Sequence, residues 1–313
     1  MPILDTIARL RDDSEARRKV ARRALGSALA SLPASIETIA REVDAEEEAG
    51  AGLVKTADDN YRRALTDLEA EIEGGTFLRG EVLRHWLDFV RAGPTARFLS
   101  EGIGKIAASL RNLLRSRTPM PAPDVREAAF SDLVASAVRH AGDAARRTAS
   151  AWGDDEHGAG ALADNPGLWG IRPDFGSQLE AALEQWVDDI ANEIAVVGQQ
   201  RKGWAQAATI GLNVLGTSVM LAVFVHTGGL TGAEVGIGAA TAVVNQKLLE
   251  AIFGEANVAA FVKRAREKLY DQLRTAFARE KERFVIALGP LATATNLGAE
   301  LRARAVAAKD AVG

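Results

Sequence analysis

The sequence has no cysteine. That excludes disulfides, thiol catalysis and cysteine-ligated metal sites. Aromatic residues are scarce, at 5%, and Ala, Leu and Arg dominate instead, a bias that favours helix. A basic excess is also lacking. The net charge is -4, which argues against a nucleic-acid binder. The opening residues, MPILDTIARLRDD, carry no apolar stretch behind a basic start, so no signal peptide is expected. The expected location is cytoplasmic, or peripheral at the inner face of the membrane if any part of the chain engages lipid.

The usual signatures of catalysis are missing as well. There is no G-x-x-x-x-G-K-[ST], no H-E-x-x-H and no G-x-S-x-G. GIGKIAAS, Gly102–Ser109, has a Gly-Lys pair but no upstream Gly and no following Ser or Thr. DNPG, Asp164–Gly167, matches a loose switch-region pattern and reads as a turn. DDEH, Asp154–His157, has donors for a divalent cation and reads as a solvated acidic loop. Asp188, Asp189 and Glu193 read as the polar face of a helix. The expectation is a non-catalytic chain without cofactor or metal.

What is present is helical periodicity almost throughout. Ala57, Tyr61, Leu65, Leu68 and Ile72 recur at three- and four-residue steps. Pro33 is expected to kink or end a helix, and Gly50 and Gly52 to mark a turn. Leu179, Leu183, Trp186, Ile190, Ile194 and Val197 follow a coiled-coil-like seam. No Pro interrupts the run from Gln178 to Val225, which if continuous forms a helix of roughly 70 Å. A charged amphipathic helix is expected from Glu255 to about Ala287, with Val258, Phe261, Ala265, Leu269 and Leu273 inside. The fold class is all-α: an elongated multi-helix bundle with long antiparallel helices and an apolar helical hairpin. The Pro-rich SRTPMPAPD, Ser116–Asp124, reads as a linker. It divides the chain into an N-terminal helical segment, 1–118, and a long-helix bundle, 119–313.

The hairpin is TIGLNVLGTSVMLAVFVHTGGLTGAEVGIGAATAVVNQKLLEAIFG, Thr209–Gly254. No Asp, Glu, Lys or Arg occurs from Gly203 to Ala233. The first arm, about Ala205–Val225, is as long as a bilayer core requires. TGAE, Thr231–Glu234, is a capping box that starts the second arm, which is rich in Gly and Ala. Leu212, Leu215, Val219, Leu221, Phe224, Val225 and Leu230 are the candidates for core or lipid contact, with Val219 and Leu221 deepest. Three readings stay open: a hairpin buried in a soluble bundle, a tip that is shielded in one state and meets lipid in another, and a permanent transmembrane pair.

Two further stretches carry interaction readings. The longest expected loop, Gly153–Gly176, contains NPGLWGIRPDFG, where Trp169 and Phe175 are candidates for docking a partner. The Arg-rich RRKVARRALG, Arg17–Gly26, reads as a solvated helix face near a domain junction, with DNA contact as its alternative.

EGGTFLRGEVLRHWLDFVRAG, Glu73–Gly93, and the Thr209–Gly254 passage together resemble the C-terminal helical part of large actinobacterial GTPases. These are dynamin-like in organisation and described as ATP/GTP-binding proteins. The passages cover about a fifth of the chain. The resemblance implies a helical stalk whose far end carries an apolar paddle that touches membrane. It also implies that GTP hydrolysis belongs to a G domain, which this sequence does not contain. The partners it implies are its own or a partner's G domain, membrane lipid and further copies of the chain. From the residues themselves, a colicin-type pore-former and a soluble scaffold with a permanently buried hairpin stay open beside it.

Overall fold

The computed structural model describes residues 13–74, 86, 122–199, 212–227, 249–250 and 255–310. Among them there is no strand, and the fold is an all-α multi-helix bundle.

Helix α1, Ser14–Glu73, has 60 residues, about 90 Å of continuous helix. Asp13 starts it by accepting the Glu15 N–H at 2.9 Å. Neither expected break occurs. Pro33 lies inside α1, on a stretch exposed to solvent. Its missing N–H costs one rung of the ladder, and the Ala- and Leu-rich turns on either side carry the helix past it. Gly50 marks a close approach instead of a turn. A Cβ there would collide with the backbone and side chain of Leu291. At Gly52 nothing lies within 4 Å, so its helical conformation is an exposed one, tolerated at a cost of about 1 kcal/mol.

Helices α2, Ala122–Gly153, and α6, Glu255–Leu288, both run antiparallel to the second half of α1. The cross-links show it, because numbers rise on α1 as they fall on its partners. Leu53 O accepts from Trp152 Nε1 at 3.1 Å, and Asn60 donates to Thr148 at 3.3 Å. Further along, Glu71 meets His140 at 2.8 Å. On the other side, Asp58 pairs with Lys281 at 2.6 Å and Glu69 with Arg274 at 3.3 Å. Helix α4, Phe175–Gln199, is antiparallel to α6 in the same way. Phe175 packs edge-on to Phe277, and Trp186 Nε1 donates to Ala265 O at 2.9 Å. The periodic seam explains the packing. Leu179, Leu183, Trp186, Ile190 and Ile194 are all buried, as are Val258, Phe261, Ala265, Leu269 and Leu273.

Helix α7, Leu297–Asp310, folds back along α1. Its first N–H groups meet Glu47, which accepts from Asn296 at 3.0 Å and Leu297 at 2.5 Å. A carboxylate at that end satisfies orphan donors and the helix dipole together. Arg302 then bridges Glu37 at 2.8 Å and Asp44 at 2.7 Å.

The helices on either side of the 118/119 division share one core. Phe284 stacks edge-on with both Tyr61, at 6.0 Å, and Trp152, at 5.0 Å. Residues 116–121 of the linker lie outside the described residues, and 122–124 form the first turn of α2.

The long helix expected from Gln178 to Val225 is not straight and continuous. Its C-terminal part is a separate helix, α5, Leu212–Thr227, packed against α4. A Cβ on Gly216 would lie 2.9 Å from Val187 Cγ1 and 3.6 Å from the Ala191 Cβ. In one straight helix Val187 and Gly216 would be about 43 Å apart. Periodicity carries no information on where a chain doubles back, and no Pro marks the place.

Candidate functional site

The most distinctive feature is α5. In an amphipathic helix burial alternates with exposure, yet from Gly216 to Phe224 every residue of α5 is buried. A helix that is apolar on all faces must be enclosed by protein or by lipid. Here protein encloses it: α5 packs on α4 and also touches α6, α1 and α2. Gly216 is what permits the close approach to α4, since a larger residue would displace Val187. Val219, Met220, Leu221, Val223 and Phe224 are each at most 1% exposed. At roughly 1.5–3 kcal/mol per buried side chain, they hold α5 in place with about 10 kcal/mol. That rivals the whole stability of an ordinary domain, so α5 does not visit water on its own.

Of the hairpin candidates, Val219, Leu221 and Phe224 therefore sit at the centre of the bundle. Leu212, Leu215 and Val225 belong to the same helix. Leu230, the capping box at 231–234 and the second arm, apart from residues 249–250, lie outside the described residues, as do GIGKIAAS and most of the 73–93 passage. Leu249 is buried in the same core. Among the described residues one stretch, within residues 257–308, is long and apolar enough by length and composition to cross a membrane, at mean hydropathy 1.3, and it is not α5. It is not one helix. After α6 ends at Leu288 a 3-10 turn, Gly289–Ala292, follows, with Gly289 at φ 57. The α6 part is dense with Arg, Lys and Glu.

The expected loop 153–176 is largely ordered. Asp155 caps helix α3, Glu156–Asp164, by accepting the N–H groups of His157 and Gly158 at 2.9 and 3.0 Å. DDEH is thus a helix start, and His157 faces Glu46 at 3.1 Å. No group of three or more His, Asp or Glu suited to a metal occurs among the described residues. Asp164–Gly167 leads into a 3-10 turn, Pro166–Trp169.

A buried carboxylate holds this segment down. Glu280 is fully buried and accepts from Arg172 Nε at 2.7 Å, from the Arg172 N–H at 3.2 Å and from Arg283 Nη1 at 2.6 Å. Arg283 also donates to the carbonyls of Gly170 and Gly167, at 2.9 and 2.7 Å. The turn is thereby stapled to α6. The hydrogen bond to Glu280 raises the Arg172 guanidinium further above its ordinary value. Above the staple, burial and then the Glu280 charge push the Tyr61 phenol up. Its hydroxyl has no hydrogen-bond partner among the described residues. Sequence reasoning missed Glu280, although a signal was there: it falls on the apolar seam Leu273, Phe277, Phe284, Leu288.

The two docking candidates separate. Phe175 is 2% exposed and packs on Phe277, so it anchors its own bundle and is not available to a partner. Trp169 is 50% exposed at the end of the 3-10 turn.

Of the acidic residues expected on the polar face of α4, Asp188 lies 3.9 Å from Arg126, Asp189 accepts from Gln185 at 2.9 Å, and Glu193 is paired across to α6. Glu193 meets Lys268 at 2.7 Å and Arg264 at 3.2 Å. Burial raises its carboxyl, and the two cations outweigh that and hold it below the usual range. Glu71 behaves alike: burial raises it, while hydrogen bonds from Ser136 and His140 and the charge of Arg139 bring it below the usual range.

No family model, no curated protein and no solved structure matches this chain.

Proposed function

We propose that this chain is a non-catalytic helical module that shelters an apolar helix and delivers it to a membrane. In this reading it is the stalk-and-paddle part of a dynamin-like system, with nucleotide hydrolysis supplied by a G domain on another chain or segment. The observation that carries the proposal is the burial of α5 on every face. Moving α5 into water costs about 10 kcal/mol, whereas lipid replaces the core at nearly equal free energy. Exposure is therefore coupled to an apolar acceptor, and a lipid surface is the acceptor that its composition fits.

The test is flotation of the purified chain with liposomes, beside Val219→Glu and Leu221→Glu. The proposal expects the wild type to float in a salt-resistant manner and the folded variants to stay at the bottom. It fails if the wild type does not float, in which case α5 is a permanent core helix and the chain a soluble scaffold. Dye release from the same vesicles by the isolated chain would turn the reading toward a pore-former.

A further inference from the structure

Helix α7 lies on α1 almost without a hydrophobic seam. Of its described side-chain positions, 297–308, only Gly298 is buried. Leu301 and Ala305 are half-buried, and Leu297 and Val306 are 46 and 60% exposed. Helix α4, by contrast, buries Leu179, Leu183, Trp186, Ile190 and Ile194. What joins α7 to α1 is charge. Glu47 accepts the N–H groups of Asn296 and Leu297, and Arg302 reaches both Glu37 and Asp44. The Arg302, Glu37 and Asp44 side chains are 35, 48 and 45% exposed. Water and salt screen such pairs, and they stabilise little. Gly298 adds closeness, because a Cβ there would collide with the Asp44 carboxylate and the Ala40 carbonyl.

The joint before α7 divides into a fixed half and a movable half. Leu291, in the 3-10 turn Gly289–Ala292, is packed against Gly50. Past the turn, residues 294–295 belong to no helix. Asn296 then sits at φ 61, the one left-handed residue other than glycine among the described residues. A helix that leaves α1 can therefore swing from this point without disturbing α6. Between the two halves runs a groove of about 490 Å³. Val43 and Glu46 of α1 line it, with Pro290 and Leu291 on the fixed side and Leu297 on the movable side.

We infer that α7 is a salt-released strap. It lifts from α1 as a unit, about Asn296, while the rest of the bundle stays closed, and in lifting removes the Leu297 wall of the groove. The physical ground is the contrast in what each element would expose. Freeing α4 or α5 puts a full apolar seam in water, whereas freeing α7 exposes little apolar surface and returns its charged groups to water. A helix of 14 residues is marginal in water by itself, so lifting and loss of helix go together. The inference is independent of α5 leaving the bundle.

Hydrogen–deuterium exchange of the full chain tests it, read by mass spectrometry on peptides from α7, α4 and α6 at low and high salt. The variants are Arg302→Ala, which removes both pairs to α1, and Arg304→Ala, which removes an equal charge that pairs only with Glu300 inside α7. Amides of α7 are expected to exchange about a hundredfold or more faster than those of α4 at low salt. High salt should speed α7 several-fold further and leave α4 unchanged. Arg302→Ala should raise α7 exchange about fivefold at low salt and shrink the salt effect, and Arg304→Ala should do neither. Exchange of α4 in the same samples reports that the bundle is intact. Protection of α7 equal to that of α4 overturns the inference, because α7 would then open only with the bundle. Salt that leaves α7 unchanged overturns it too. So does an effect of Arg304→Ala as large as that of Arg302→Ala, which would make the loss one of net charge or helix propensity.

Discussion

Gly216 and Val187 touch so closely that the first Cβ added to Gly216 would sit 2.9 Å from the valine methyl. This contact decides the topology. It folds α5 back on α4 and puts the most apolar segment of the described chain inside the bundle.

The same spot offers a lock. The position of a Gly216 Cβ is 3.6 Å from the Ala191 Cβ, within the span of a disulfide. The chain has no other cysteine to interfere. Ala191→Cys/Gly216→Cys, with Val187 shifting slightly, should oxidise spontaneously and raise the melting temperature. Salt-resistant flotation should disappear in the oxidised form and return on reduction. If the oxidised form floats as well as the reduced one, α5 inserts without leaving α4.

The Glu280 staple should be costly to break. Glu280→Gln leaves Arg172 and Arg283 without their buried counter-charge and should destabilise by about 3–5 kcal/mol. Tyr61→Phe, directly above it, removes a buried hydroxyl that gains no hydrogen bond there and should be neutral or slightly stabilising. Urea melts of the two variants measure both signs.

Acid should loosen the helix contacts that Glu71 and Glu193 make. Glu71 and Glu193 have carboxyls lower in the folded chain than their ordinary 4.5. Each unfolded carboxyl binds its proton first as pH falls. Their stabilisation is complete above that value and is lost as pH drops through the folded one. Melting temperature should thus fall from about pH 5 to about pH 3, and less steeply in Glu71→Gln/Glu193→Gln. An identical slope in the double variant would show that other carboxylates carry the effect.

Asp155→Ala removes two hydrogen bonds at the start of α3 and should cost about 1 kcal/mol. Urea melting measures it. Because the residue caps a helix, Asn should restore most of the loss, and no added divalent cation should change the wild-type melt.

The sequence by itself determined which residues go inside. Spacing of three and four placed Leu179 to Ile194 on α4, Val258 to Leu273 on α6 and Ala57 to Ile72 on α1, because a helix repeats every 3.6 residues wherever it lies. Composition determined that these elements are helices. Tertiary structure decided what local rules cannot carry. Position 50 must be glycine because Leu291 fills the space a Cβ would need, a contact that no local pattern announces. The loop before α4 is ordered because Glu280, more than a hundred residues away in sequence, balances Arg172. Whether an apolar run such as Gly216–Phe224 spans, lines or fills depends on what packs around it. Its sequence specifies only that water must be absent, and the bundle supplies the partners.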